Sequence, residues 1–191
     1  MKTIAWDIDD VLNDLMYLWF QSWNTDNSAS AVRYADLMEN PPHGILGITM
    51  ESYLKSLDTF RLSSSYLDME PIKEVSEWFV DNGSRFRHIA LTAVPLSAAS
   101  VSAQWVLRHF GIWIRTFHFV PSKRQDLTLP VYDESKLSFM QWLDKVDIFI
   151  DDNPEQVQKA EMFGVKAYLF PRPWNNGRLS VHEILGEIGK R

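Results

Sequence analysis

The chain has 191 residues, 46% of them hydrophobic and 23% charged, with a formal net charge of -6 and no cysteine. Length and composition bound it to one full globular domain with a modest insertion, far from the disordered regime. The acidic balance, with Lys and Arg scattered, excludes a nucleic-acid polymer that recruits basic surface but not a small anion. The lack of cysteine excludes a disulfide framework, a thiolate nucleophile and a Cys-based zinc site, and fits a reducing compartment.

Met1 and Lys2 lead into a short apolar stretch that Asp7 breaks at once, which is not the pattern of a signal peptide. No apolar run approaches the roughly 20 residues needed to span a bilayer, so a cytoplasmic protein without a membrane partner is expected. Thr3 to Trp6 reads as a first buried strand. The segment 15–67 then breaks the pattern, being helical in parts, rich in aromatics and interrupted by Pro41, Pro42, Gly44 and Gly47, and is expected to be a small helical cap. Ile72, Val75, Trp78 and Phe79 share one helical face, with Gly83 placed after the helix end. His88 to Leu91 is a second strand, Trp105, Val106 and Phe110 before Gly111 a second core-facing helix, and Phe117 to Val120 a third strand. Lys136 opens a helical segment that leads to a fourth strand at Val146 to Ile150. Beyond it Asn153 is placed to cap a helix whose first residue is Pro154 and which Gly164 ends. Lys166 to Phe170 is a fifth strand, and Ser180 with Glu183 forms a capping box for a last helix.

Nearly continuous apolar strands alternating with helices imply an α/β fold: an open, parallel, Rossmann-like sheet with helices on both faces, formed by 1–14 and 68–191. Ligands of such sheets bind beyond the carboxyl ends of the strands. There the first strand runs into Asp7-Ile8-Asp9-Asp10-Val11-Leu12. Extended backbone throws Asp7 and Asp9 to the same side, where two carboxylates repel unless a cation lies between them or one is protonated. An isolated Asp-x-Asp reads as an acidic turn. Here the second strand ends in Thr92 and the fourth in Asp151-Asp152, so a hydroxyl and two acidic clusters meet in one crevice.

These motifs, in this order and over nearly the whole chain, resemble the haloacid-dehalogenase superfamily: an apolar strand with Asp-x-Asp, a strand-end Thr, a Lys and a strand-end acidic pair. Asp10 stands where Gly is common. The resemblance implies a Mg2+-dependent phosphomonoester hydrolase. In it Asp7 is the nucleophile that forms an aspartyl-phosphate, and Asp9 the acid and base that protonates the leaving oxygen and deprotonates water. Asp7, Asp9 through its backbone carbonyl, and the Asp151-Asp152 pair are the implied metal ligands, and all-oxygen donors suit Mg2+. Thr92 and a lysine are the implied phosphate ligands. Lys136 holds the usual family position for that lysine. Lys123, directly after the third strand, is the competitor or a guide for substrate.

The stretch Tyr66 to Ile72, with Ile89 to Thr92 and Trp105 to Gly111, resembles the 5'(3')-deoxyribonucleotidases of the superfamily. That implies a nucleoside monophosphate whose base stacks on cap aromatics such as Trp19, Phe20, Trp23 and Tyr53, Trp19 and Trp23 being the expected substrate contacts. The same spacing of aromatics is also that of ordinary packing. Sugar phosphates or other small phosphorylated metabolites are the alternative substrates, and a catalytically silent binding protein is the alternative class. A response-regulator receiver would carry its acidic pair early, and a dehalogenase would lack Asp9 and the Asp151-Asp152 pair. His43, His88, His109, His118 and His182 show no metal-ligand spacing, Trp174 to Gly177 reads as a structural turn, and oligomeric state is left open.

Overall fold

Apolar runs without alternation make strands buried on both faces, as at the centre of this sheet; the computed structural model has five strands in one parallel sheet ordered β3-β2-β1-β4-β5. They are β1 (Thr3–Trp6), β2 (Arg87–Val94), β3 (Ile114–Pro121), β4 (Ile148–Asp151) and β5 (Lys166–Leu169). The structure describes residues 1–26, 31–122, 130 and 132–190. β2 and β3 are longer than their apolar runs because each supplies the other with ladder partners, Thr92 facing Phe119 and Val94 facing Pro121. Thr92 therefore lies inside a strand rather than just after one.

Side chains alternate across the sheet and divide the core in two. Ile4 and Trp6 of β1 point to the face covered by α4 (Lys73–Asn82), α5 (Leu96–Phe110) and α8 (Val181–Gly189), where Trp78, Phe79, Trp105, Phe110, Ile184 and Ile188 are buried. Ala5 points to the opposite face, with Phe149, Met140 and Ala160, under α6 (Lys136–Leu143) and α7 (Pro154–Met162). Gly83 ends α4 as its sequence position suggests, and its lack of a side chain is required for packing: a Cβ there would lie 2.6 Å from the Trp113 ring. His88 is consumed by the same core. Its Nδ1 accepts from Trp6 Nε1 at 3.0 Å while its Nε2 lies 2.8 Å from the Gly83 carbonyl, so it is a neutral ring, and burial pushes its pKa down to about 4.

Between β1 and α4 the chain leaves the sheet and returns. The two crossings lie side by side, with Asn13 bridging Pro71 and the Ile72 amide donating to the Leu12 carbonyl at 3.0 Å. The excursion carries α1 (Leu15–Asp26), α2 (Met50–Arg61) and the short α3 (Ser64–Leu67). Its interior is aromatic: Trp19, Phe20, Tyr53 and Tyr66 are each at most 2% exposed, and Trp19 meets Tyr53 edge to face. No described helix is long and apolar enough to cross a membrane.

Candidate active site

The acidic residues meet because β1 and β4 are neighbours. The ladder continues one step past β1, Asp7 N donating to the Ile150 carbonyl at 2.9 Å, which sets Asp7 beside Asp151. The chain then turns tightly, with Leu12 N bonding the Ile8 carbonyl at 2.9 Å, and Asp10 takes a left-handed φ of 63°. Gly adopts that conformation most readily, and Asp is one of the few other residues that tolerate it. The Asp10 carboxylate accepts from Met16 N at 3.0 Å, and burial together with the neighbouring acids Asp152 and Asp9 raises its pKa although Arg172 opposes this.

Side-chain oxygens of Asp7, Asp151 and Asp152 lie within 4.8 Å of one another, and all three residues are buried. Lys136 Nζ is 2.6 Å from both Asp7 Oδ2 and Asp151 Oδ2. It is the first residue of α6, whose N-cap Ser135 holds the Ser138 amide, and it is 5% exposed. Burial disfavours its charge, but Asp151 and Asp7 more than offset this and its pKa lies above the ordinary lysine range. Burial, with Asp151 and Asp9 adding repulsion, pushes Asp7 up to about 6 even with Lys136 in contact. Asp152 is likewise pushed up to about 6 by burial and then by the charge of Asp7.

Of the two lysines weighed from sequence, Lys136 is thus brought into the carboxylate cluster, whereas Lys123 lies outside the described residues. Thr92 borders the same cavity at 2% exposure. This cavity, about 190 Å³, is lined by Asp7, Asp9, Thr92, Lys136 and the Asp151-Asp152 pair on the sheet side, and by Met16, Tyr53, Leu57 and Arg61 on the other. Trp19 and Trp23 do not border it. Trp19 is 1% exposed and spends its indole N–H on Ser56 at 3.0 Å, and Trp23 packs against Trp19 and Phe20. Expected as a stacking face, Trp19 is turned into the inserted segment's own aromatic packing and the half-buried Trp23 lies against it; Tyr53 alone of the four aromatics reaches the cavity.

Asp9 lines the same cavity but is engaged by other partners than the carboxylate cluster. Arg61 grips its Oδ2 through Nε at 3.1 Å and Nη2 at 3.0 Å, while its Oδ1 accepts from Tyr66 OH at 3.0 Å and Asn13 Nδ2 at 3.2 Å. Past the ends of β4 and β5, Trp174 Nε1 donates to Asp152 Oδ2 at 2.7 Å and Asn175 Nδ2 to the Asp152 carbonyl at 2.7 Å. Arg172 reaches across to the Asp10 carbonyl at 2.7 Å and to Asp14 at 2.5 Å, so it ties the β5 end to the turn after β1. None of Asn13, Arg61 and Arg172 was singled out from sequence, and Tyr66 entered only as the start of the stretch 66–72, without a role in the site. Asn13 carries a readable signal as an Asx just before a helix, and Arg172 as a polar residue just past a strand end. Arg61, at the end of an amphipathic helix, carries none.

No family model matches this chain, and no curated protein does. Solved structures do. The haloacid dehalogenase-like family protein SP0104 from Streptococcus pneumoniae superposes with a TM-score of 0.59 at 12% identity, over 97% of this chain and 90% of that one. The chain has the haloacid-dehalogenase fold. The Bacillus subtilis protein YfnB, solved bound to magnesium, shares this fold with a TM-score of 0.57 at 10% identity over 98% of this chain and 96% of its own. So does Protein Tyrosine Kinase A of Mycobacterium tuberculosis, with a TM-score of 0.61 at 14% identity over 98% of each chain. A haloacid-dehalogenase fold thus hosts proteins described as doing different chemistry, and function has to be argued from the site.

Proposed function

We propose that this protein is a Mg2+-dependent phosphomonoester hydrolase that works through an aspartyl-phosphate on Asp7. The observation that supports it is the meeting of Asp7, Asp151, Asp152 and Lys136 in one cleft at the carboxyl edge of the sheet, with Thr92 and Asp9 on its walls. Three crowded carboxylates face one lysine, and their donors are all oxygens, which fits a small hard divalent cation. Asp7, Asp151 and Asp152, with the backbone carbonyl of Asp9, would hold Mg2+, which draws the phosphate dianion to the nucleophile and offsets the crowded negative charge.

In this reading an Asp7 carboxylate oxygen bonds to phosphorus while the bond from phosphorus to the ester oxygen breaks, and that oxygen leaves with a proton from Asp9. Water then bonds to phosphorus, gives its proton to Asp9 and releases Asp7 as a carboxylate. Lys136 orients Asp7 and, with Thr92, offers donors to phosphate oxygens. The inserted helices act as a cap, closing Met16, Tyr53 and Leu57 over the reacting atoms and limiting the entry of water.

The substrate proposed is compact. A space of about 190 Å³ is smaller than the roughly 300–1,000 Å³ typical of pockets for larger ligands, and the buried Trp19 and Phe20 lend no support to base stacking. Phosphate release in the presence of Mg2+, with full loss in excess EDTA, is the expected result across a panel of sugar phosphates and nucleoside monophosphates at matched concentrations. Small sugar phosphates are expected to lead in kcat/KM. A nucleoside monophosphate ahead by about tenfold would reverse that preference in favour of a nucleotidase, and full activity in EDTA would remove the proposed mechanism.

The bond from Trp174 to Asp152 gives a second expected result. Groups that orient a metal ligand typically contribute about 10–100-fold to metal affinity. Trp174→Phe keeps an aromatic ring and deletes the N–H, so the Mg2+ concentration for half-maximal activity should rise by about that factor while kcat at saturating Mg2+ changes little. An unchanged Mg2+ requirement would show that the bond serves the loop alone.

A further inference from the structure

Asp9 is held on the sheet side of the cleft by groups from the other side. Arg61 stands at the end of α2 and Tyr66 lies in α3, both in the inserted segment, 52 and 57 residues further along the chain. The Arg61 and Asp9 side chains are each about 10% exposed, and Asp58, one turn earlier on α2, holds Arg61 Nη1 at 3.2 Å, which fixes the guanidinium in its approach to Asp9. Two donors of one planar fork on a single carboxylate oxygen determine orientation as well as distance. The other oxygen meets Tyr66 OH, which also lies 3.2 Å from Ser102 Oγ, in a contact where either hydroxyl can donate. Tyr66 is thus held between Asp9 and Ser102, which fixes the line along which it meets the carboxylate.

We propose that Arg61 and Tyr66 are positioning residues for Asp9, so that the inserted segment, by docking, sets in place the group that protonates the leaving oxygen. The idea rests on the phosphatase reading above and adds to it a specific task for α2 and α3: without them Asp9 keeps only Asn13 on Oδ1, and its Oδ2 loses both donors that fix its orientation toward the ester oxygen. It also accounts for a buried arginine in the cleft whose charge is committed to Asp9 and Asp58 rather than presented to substrate.

Leaving groups separate this role from a structural one. Phenyl and p-nitrophenyl phosphate are similar in size, but nitrophenolate departs without help while phenolate needs a proton. The parameter kcat/KM reports formation of the aspartyl-phosphate, the step in which Asp9 donates. Arg61→Gln is expected to lose about 10²-fold in kcat/KM on phenyl phosphate and less than about tenfold on p-nitrophenyl phosphate, since positioned acid catalysis typically contributes 10²–10⁴-fold. Arg61→Lys should recover part of the difference. Tyr66→Phe, which keeps the buried ring and is expected to fold even if Arg61→Gln does not, should show the same bias on a smaller scale. Equal losses on the two esters, a loss in KM alone, or a gain in rate on removing the arginine would overturn the inference while leaving the phosphatase reading in place. A wild-type protein inert toward both esters with Mg2+ would overturn both.

Discussion

Asp7→Asn is expected to reduce kcat for any phosphomonoester this protein hydrolyses by about 10⁴-fold or more, as removal of a nucleophile typically does, with the fold retained. The amide has the size of the carboxylate and its oxygen can still accept from Ile8 N, a contact of 2.8 Å in the wild type. Lys136 loses one charged partner but keeps Asp151 at 2.6 Å, and one of three crowded acids is gone. The melting temperature by circular dichroism should therefore stay within a few degrees of wild type. Asp9→Asn should lose about 10²–10⁴-fold, the smaller loss expected of an acid and base compared with the attacking group. Wild-type turnover by purified Asp7→Asn would mean that Asp7 does not form the covalent intermediate.

Mg2+ is expected to stabilise the protein, and to do so more as the pH rises through about 6. Asp7 is held up to about 6 against an ordinary value of 3.8, as is Asp152. Between those values the folded, metal-free protein holds protons on these acids that the unfolded chain has released. Stability of the metal-free form therefore falls as pH rises through this window and levels off above it. Protons and Mg2+ compete for the same oxygens, so the gain from the ion is small near pH 5 and full by about pH 7.5. A ligand present at about 100 times its dissociation constant contributes about 2.7 kcal/mol, which in a chain of this size raises the melting temperature by about 5–10 °C. Thermal melts with and without Mg2+ across this pH range test the claim. A shift of the same size at every pH would place the ion away from Asp7 and Asp152.

The strands and their acidic ends were legible in the chain because the signals are local. A strand buried on both faces is largely apolar, so β1 and β4, buried at every position, stand out as short runs. A polar residue that follows such a run can only lie at the sheet's edge, which is how Asp7 and the Asp151-Asp152 pair are recognised. Helix ends were legible for the same reason: Asn153 accepts from Glu155 N and Gln156 N, and Ser180 and Glu183 exchange bonds as a capping box, all within three residues. Strand length was less legible, since the extension of β2 past Leu91 depends on the partners β3 supplies.

Tertiary structure decided the rest. That Lys136 is a buried cation between Asp7 and Asp151 follows from how α6 packs beneath the sheet, and a lysine in a sequence looks the same whether solvated or buried. The stripe of Trp19, Phe20 and Trp23 has helical period in either outcome, and only the docking of α1 against α2 turned Trp19 and Phe20 inward and set Trp23 against them. Asp9 shows the division most clearly. Its place just beyond β1 is read from the apolar run that precedes it, but the chain there turns instead of staying extended, and the direction of its carboxylate is set largely by Arg61 and Tyr66, more than fifty residues away. Contacts at that separation leave no periodicity to read: they exist because the inserted helices close back onto the sheet, and their geometry follows from packing and charge pairing among residues that only the folded chain brings together.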